Sequence, residues 1–457
     1  MGAEKEIIVA LEFGTSAIQG IAGRRKADGT VQILGIEQEH IIDAIQHGVI
    51  YNIDKTTQAI HNIVDRLNER LNIHIGRAYV GVGGQSLHTA GNVISRELET
   101  TVKVTPELID NLKDNNRATL YPNSQILDVV PQEYIIGNRS ITDPIGIQTD
   151  HIEAHFQNVV AKNILLENIH KCMKLAGIEI VDIFIAPLAL ADVMLTDNEK
   201  RSGCALVDFG AGTTTVTIYR GNLLRHLAVI PLGGQNINSD IIAAQQLDTD
   251  EAETLKRKYG VAYVSAESDK PQQLAISNDR TLSENDLLNI IGARQEEIIL
   301  NAWNQIKQMS DKLLAGIIIT GGAAQIKDMP EAIKHFTEFP KVKSAKSLIT
   351  TADVNPEVIT PQGNSIDTLI ALLMHGNTDC LIEQEDNAEA NENDIPSSNS
   401  EETSTGGTNK TEEADEKNNT TETEDKPIKE KPKQSKGILH RIRKWGDSIT
   451  TIFTEEE

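Results

Sequence analysis

An acid, an aromatic residue, a glycine and a group of hydroxyls occur in the same order at two distant places in this chain. From Cys204 to Arg220 (CALVDFGAGTTTVTIYR) an apolar run ends at Asp208, and Gly210, Ala211, Gly212, Thr213 and Thr214 make a glycine-and-hydroxyl turn before alternation resumes at Val216. The pattern predicts strand, tight turn, strand. Glycines at such a turn let successive amide N–H groups point into one concavity, where an anion fits. Asp208 is placed to hold a divalent cation, usually through water, beside that anion. From Ile7 to Arg24 (IIVALEFGTSAIQGIAGR) the order repeats with Glu12, Phe13, Gly14, Thr15 and Ser16, then a second strand from Ile18 to Ala22. One such hairpin could be only a turn. Two similar clamps point to a duplicated fold.

A third stretch, Gly316 to Pro330 (GIIITGGAAQIKDMP), runs a buried strand into Thr320, Gly321, Gly322, Ala323 and Ala324. Small residues there let a flat ligand approach the backbone. Two phosphate hairpins followed by a TGGAA loop resemble the actin, Hsp70 and sugar-kinase superfamily, and within it the FtsA family of bacterial cell-division proteins. The resemblance implies an α/β, actin-like ATPase fold: two duplicated lobes around a cleft that takes ATP and Mg2+. It gives phosphate contacts to Gly14, Thr15, Ser16, Gly210, Ala211, Gly212, Thr213 and Thr214, and water-mediated Mg2+ contacts to Asp208 and Glu12. Adenosine falls to Gly321, Gly322 and Ala323.

The chain has 457 residues, enough for at least two cores. A net charge of -24 argues against nucleic acid as a partner. Three widely spaced cysteines form no disulfide or zinc pattern, so a reducing compartment is expected. Ile7 to Leu11 is a strand-length apolar run with no basic region before it, so no signal peptide is expected. No stretch reaches the roughly 18 to 20 apolar residues of a spanning helix.

In chain order, a strand from Val31 to Glu37 leads to a helix capped by Asp54, and a strand from Ala78 to Val82 ends in Gly83-Gly84. From about Gln85 to Lys162 the pattern breaks, with a short helix opened by Thr105-Pro106 and a strand carrying Pro131. VVPQEYIIG, with DPIG shortly after, resembles the extra subdomain of FtsA, implied to serve self-association and contact with later division proteins. A helix from Lys162 to Ala176 stops at Gly177, a strand follows, and Pro187 opens PLALADVML. Actin-like relatives can place a water-orienting glutamine at this turn, whereas this chain has Leu188. Thr215 stands where many relatives have an acid, and Ala17 where many FtsA-like chains carry a lysine. No histidine or glutamine near the second hairpin is an obvious water-orienting group, so the expectation is slow or undetectable hydrolysis, with nucleotide acting as a switch.

A strand from Leu223 to Ile230 runs into Gly233 and Gly234, whose N–H groups at a helix start offer a second anion contact. TDEAETLKRKYG then resembles the helix from which actin-like proteins reach ribose and adenine, and Glu253 and Lys256 match. Ser283 is expected to cap a long helix, with Asp286 as reciprocal partner and Trp303 in its core face. Arg294 on that helix lies in a stretch resembling the FtsA region that receives the acidic-apolar tail of FtsZ, and its guanidinium would suit a carboxylate.

Beyond Cys380 the chain turns to Glu, Asp, Asn, Thr, Ser and Lys, a composition expected to stay disordered as a tether spanning ~40 Å. Hydrophobicity returns from Gly437 to Phe453 (GILHRIRKWGDSITTIF): Ile438, Ile442, Trp445, Ile449 and Ile452 at helical spacing, with Leu439 and Phe453 beside them and Arg441, Arg443 and Lys444 opposite. This pattern fits an in-plane anchor on an anionic membrane.

The expected layout is therefore a first lobe (1–84, with 163–199 and about 361–380), an inserted subdomain (85–162) and a second lobe (200–360, its outer subdomain 236–304). An acidic linker (381–436) and a membrane helix (437–454) complete it. The resemblance implies a peripheral protein on the cytoplasmic face of the membrane at the division site, tethering FtsZ filaments, polymerising with itself and helping assemble the divisome. The alternatives are a pilus-assembly adaptor of the actin type and a small-molecule kinase of the same superfamily.

Overall fold

The computed structural model describes residues 6–382 apart from 27–29, 42, 265–271, 278–279, 351, 356–357 and 359–365. Of the expected linker, Leu381 and Ile382 are described and still join the globular part, through a bridge from Leu381 to Ile75 and Ile382 N–H donating to the His74 carbonyl at 3.0 Å; the rest of it and the proposed membrane helix lie outside the described residues. The first segment comprises β1 (Ile7–Phe13), β2 (Ala17–Arg25), β3 (Val31–His40), β4 (Ile45–Gln46), β5 (Val49–Ile50), α1 (Ile53–Leu71) and β6 (Arg77–Val82). β7 (His88–Lys103), α2 (Pro106–Arg117), β8 (Ser124–Ile136), β9 (Arg139–Ile141) and β10 (Gln148–Lys162) follow. α3 (Asn163–Leu175), β11 (Glu179–Ile185), α4 (Ala186–Met194) and α5 (Asp197–Ser202) lead into β12 (Cys204–Phe209), β13 (Thr214–Arg220) and β14 (Leu223–Ile230). Then come α6 (Gly234–Gln245), α7 (Thr249–Tyr259), β15 (Gln273–Ser277), β16 (Arg280–Ser283), α8 (Glu284–Ile306), β17 (Gly316–Thr320), α9 (Met329–Thr337), β18 (Val342–Ser344), β19 (Asp353–Val354) and α10 (Asp367–His375).

The duplication is explicit in the sheets. One runs β11-β6-β1-β2-β3-β19, and the other begins β18-β17-β12-β13-β14. In each, the strand ending in the acid pairs antiparallel with its hairpin partner and parallel with a later strand on its other side. The registers match: Glu12 lies opposite Gln19 and Phe13 opposite Ile18, as Asp208 lies opposite Thr215 and Phe209 opposite Thr214. Both turns close with the same bond, Gly14 N–H to the Ala17 carbonyl (3.1 Å) and Gly210 N–H to that of Thr213 (2.8 Å).

Alternation along β12 and β17 divides the second sheet between two cores. Leu206 and Ile318 face a core shared with Ile8, Leu188 and Leu369, whereas Val207, Phe209 and Ile319 face one built with α8 and α9. The first core therefore runs through the base of both lobes, with α4 and α10 in it.

The inserted segment leaves the chain after β6, yet its strands continue the second sheet in the order β14-β7-β10-β8-β9. One bridge, Ala228 to His88, makes the join. Thr89 reinforces it, its hydroxyl accepting from Leu227 N–H at 2.9 Å and donating to that residue's carbonyl at 3.3 Å. α2 covers one face of this sheet over Phe156, Ile152 and Tyr134.

Two expected caps are corrected. Asn52, two residues before Asp54, caps α1 by accepting from Lys55 N–H at 3.0 Å. At α8, Ser283 occupies the N-cap position as expected, but its side chain makes no capping bond. Trp303 is half-buried and packs tilted against Phe339, 5.6 Å between centroids. The stop at Gly177 takes the expected left-handed form, φ +70°.

Candidate functional site

The two hairpins meet. A Cβ on Gly212 would stand 2.6 Å from Thr15 Cγ2 and 2.7 Å from its Oγ1, so the turns of the two lobes pack tip against tip. Pairing of β17 with β12 sets Thr320 beside Asp208, and Gly321, at φ +94°, is pressed so close to the Asp208 carboxylate that no side chain would fit. The three loops singled out by composition thus converge on one place.

Gly233 and Gly234 join them differently from expectation. Gly234 N–H donates to the Gly210 carbonyl (3.0 Å) and Gln235 N–H to that of Ala211 (2.8 Å), while Gly233 N–H donates to Asn236 Oδ1 (2.9 Å). The Gly234 and Gln235 amides fasten the start of α6 onto the second hairpin and the Gly233 amide is taken by Asn236, so in this conformation none of the three stands open to an anion.

Glu253 and Lys256 project from α7 to the same region. Lys256 Nζ lies 2.6 Å from Glu253 Oε2 and donates to the Gly234 carbonyl at 3.1 Å. Asn238 Nδ2 donates to the same Glu253 oxygen at 2.7 Å. Burial lowers the Lys256 pKa, outweighing the neighbouring carboxylate. Burial works to raise that of Glu253, but Lys256 and its hydrogen bond bring it below the usual value. A Cβ on Gly234 would stand 3.1 Å from Ala323 Cβ and 3.5 Å from Lys256 Nζ. The α7 pair and the TGGAA loop therefore flank one another, as an adenosine-sized ligand held from both sides requires.

Behind the hairpins lie three acids, Glu12 and Asp208 half-buried and Asp367 buried. Burial, then Asp208, then Asp367, push the Glu12 carboxyl up to about 8, and burial followed by Asp367 pushes Asp208 up to about 6. Glu12 Oε2 is buried without a hydrogen-bond partner among the described residues. Such an orphan calls for a proton or for a cation with its water shell. No described cluster of three His, Cys, Asp or Glu side chains has the geometry to ligate a metal directly. The donor set suits a hydrated Mg2+, which keeps several waters and takes one or two carboxylates.

Asp367, at the start of α10, escaped the sequence reading. It is 1% exposed and accepts from Ser347 Oγ (2.8 Å), Leu348 N–H (2.8 Å) and Thr320 Oγ1 (3.4 Å). His47 also escaped it, a histidine that the fold brings to the second hairpin. Its Nδ1 is 2.8 Å from the Gly212 carbonyl. Both come from parts of the chain remote from the loops they touch, and neither carries a local motif. Leu188 is buried in α4 at 1% exposure, and that turn offers no polar side chain to a water.

Arg294 is occupied. Its Nε and Nη2 clasp the Asp240 carboxylate at 2.6 and 3.0 Å, and Nη1 pairs with Glu297. A guanidinium does suit a carboxylate here, but the carboxylates are intramolecular and tie α8 to α6. Ile438, Leu439, Arg441, Ile442, Arg443, Lys444, Trp445, Ile449, Ile452 and Phe453 lie outside the described residues.

Comparison with known proteins gives a consistent picture. A family model described as cell division protein FtsA matches residues 205–363, and one described as the SHS2 domain inserted in FtsA matches residues 84–160. Cell division protein FtsA of Pseudomonas aeruginosa is 31% identical over 346 residues, 73% of this chain and 82% of that one. The Bacillus subtilis protein of the same name is 30% identical over 328 residues, 70% of this chain and 74% of its own. Among solved structures, a chain of the PilM-PilN type IV pilus biogenesis complex superposes with a TM-score of 0.58 at 14% identity, covering 80% of this chain and 98% of that one. At that identity the likeness is one of fold.

Proposed function

Because the chain belongs to the FtsA family of cell-division proteins, we propose that it is an actin-like, ATP-binding adaptor that tethers FtsZ filaments to the cytoplasmic membrane. One observation carries the nucleotide part: two hairpins of the same sequence order and register meet tip to tip, with the half-buried Glu12 and Asp208 behind them.

The turn amides of Thr15 and Ser16 and of Ala211, Gly212 and Thr213 would hold the phosphates, with Gly14, Gly210 and Thr214 shaping the turns, and Glu12 and Asp208 would receive the water shell of Mg2+. Glu253 and Lys256 hold the ribose and base against Gly321, Gly322 and Ala323. Bound Mg2+ supplies charge neutralisation at the phosphates. Phosphoryl transfer depends on positioning and charge stabilisation, and Leu188 and Thr215 supply neither, so hydrolysis is slow and occupancy acts as a switch. Residues 85–162 contact later division proteins and a second copy of the chain, and the FtsZ tail docks on the outer part of the second lobe. Residues 437–454 anchor the assembly peripherally to the anionic cytoplasmic leaflet. Five to seven large apolar side chains contribute several kcal/mol at roughly 1.5 to 3 each, less the cost of ordering the helix, and polymerisation adds avidity.

Two measurements test this. Calorimetric titration is expected to show one ATP site that requires Mg2+, with turnover far below one per second; no binding, or turnover of many per second, refutes it. Flotation with anionic vesicles is expected to depend on residues 437–457, and membrane binding that survives their deletion defeats the anchor.

A further inference from the structure

β4 and β5 are joined by His47-Gly48, with φ +48° and +75°. Two consecutive left-handed residues between short antiparallel strands make a type I′ hairpin, whose first central position favours Asn, Asp or Gly. Local conformation alone therefore does not select a histidine. Its side chain gives the reason, since Nδ1 lies 2.8 Å from the Gly212 carbonyl in the phosphate hairpin of the second lobe. A carbonyl only accepts, so Nδ1 carries the proton.

The main chain of the same turn reaches both the root of the insertion and the first phosphate hairpin. The His47 carbonyl accepts from Gln85 N–H at 3.0 Å, and Gly48 N–H donates to Thr15 Oγ1 at 3.2 Å. A Cβ on Gly48 would stand 2.7 Å from Gly84 Cα. Gly84 and Gln85 are where the chain enters the inserted subdomain, and its exit is tied to the same spot by Lys162 N–H donating to Ser86 Oγ at 3.2 Å. His47 thus touches the phosphate clamp with its ring and the root of the insertion with its backbone.

We infer that His47 is the positioning residue through which the state of the phosphate clamp reaches the root of the inserted subdomain. The inference rests on the nucleotide-site reading above. Its physical basis is peptide planarity: the Gly212 carbonyl and the Thr213 N–H share one rigid plane. An N–H that swings to meet or release a terminal phosphate must re-aim that carbonyl. The imidazole follows the carbonyl, and Gln85 and Gly84 follow the turn. A coupling of this kind requires that ATP and ADP differ in their free energy for two arrangements of the turn.

Hydrogen exchange on the full chain, saturated with Mg-ADP or with Mg and a non-hydrolysable ATP analogue, reads the coupling at amides 85–92 and 158–162. In the unaltered chain the two nucleotides are expected to give exchange rates differing by ~5-fold or more there, the lower end of allosteric couplings. His47→Ala should bring that ratio to unity while both nucleotides still bind. His47→Asn should restore it, because the Asn amide takes the place of Nδ1 and asparagine tolerates the left-handed conformation. His47→Gln, whose amide sits nearer the position of Nε2, should behave as alanine. A normal ratio in the alanine variant overturns the inference, and so does an unaltered chain that binds both nucleotides with no difference at these amides. If His47→Ala does not fold, equal ratios in the Asn and Gln variants overturn it. An unaltered chain that binds neither nucleotide overturns the nucleotide-site reading, and the coupling with it.

Discussion

Replacing Gly212 by alanine probes the contact on which the cleft is built. The added methyl would meet Thr15 Cγ2 at 2.6 Å, Oγ1 at 2.7 Å and Cβ at 2.9 Å, all closer than real Cβ contacts. Thr15 has little room to yield, because its Oγ1 is held by Gly48 N–H. Overpacking of this kind costs about 1 to 3 kcal/mol, and here it is relieved by moving the hairpin tips apart. The strain therefore falls on the closed cleft, and neither hydrophobic core is touched. At about 1.4 kcal/mol per factor of ten, ATP affinity should weaken by roughly 5- to 150-fold while the melting temperature of the nucleotide-free protein changes little. Calorimetry measures the affinity and scanning fluorimetry the stability. Thr15→Ala removes two of the three contacts, so the double variant should lose less affinity than the sum of the two single changes. A Gly212→Ala protein that binds ATP as tightly as the unaltered chain would refute the claim that the two hairpins close on one ligand.

The acids behind the hairpins give a pH signature. Glu12 is raised to about 8 and Asp208 to about 6, so each favours its protonated form when folded. Their stabilising contribution is full below the ordinary carboxylate range and is lost as pH rises through 6 and then 8. Without Mg-nucleotide the melting temperature should therefore fall between about pH 5 and 8; Glu12→Gln should flatten that slope, and an unchanged slope in the variant counts against the assignment. Lys256→Met keeps much of the side-chain volume but leaves Glu253 without its cation, and should weaken ATP binding about tenfold, comparable to losing one charged hydrogen bond. Equal affinity in calorimetry would remove Lys256 from the site. Arg294→Ala should lower stability by about 1 kcal/mol, as for a partly exposed ion pair, because Asp240 loses its partner; urea denaturation measures this, and no change in midpoint contradicts it.

Chemistry written in consecutive residues was legible before any coordinates. The hairpins at Glu12 and Asp208 and the loop at Thr320 each put their acid, glycines and hydroxyls within a few positions, and strand periodicity fixed their orientation. The duplication followed from seeing one order twice. What could not be read depends on long-range pairing. Asp367 belongs to a stretch whose apolar pattern speaks only of a packed helix, and its proximity to Asp208 arises because α10 is seated in the core shared by both lobes. His47 sits in a turn between strands of two residues each, too short to show any period. The junction of the insertion with β14 has one ladder bridge, supported by hydrogen bonds of Thr89 and Gln132, and no sequence pattern announces it. The cap of α1 is a local feature, since Asn52 and Asp54 are both capping residues and only Asn52 stands in the extended conformation at the helix start.

The distribution of apolar and small residues explains how such a protein can bind a nucleotide without risking its fold. At the base, Leu188, Leu206, Ile318 and Leu369 lie in one continuous core, so the lobes are joined by burial that opening the mouth does not disturb. At the mouth, Gly212 against Thr15 and the His47 ring against a carbonyl replace apolar packing with contacts of small area and definite direction. Such contacts are individually modest, about 0.5 to 1.5 kcal/mol for a neutral hydrogen bond, comparable to the difference a single phosphate can impose. A mouth sealed with leucines would hold one shape whatever it contained. Glycines and hydrogen bonds there leave the equilibrium between open and closed arrangements within reach of the ligand, and only such an equilibrium lets nucleotide occupancy bias what the rest of the chain assembles with.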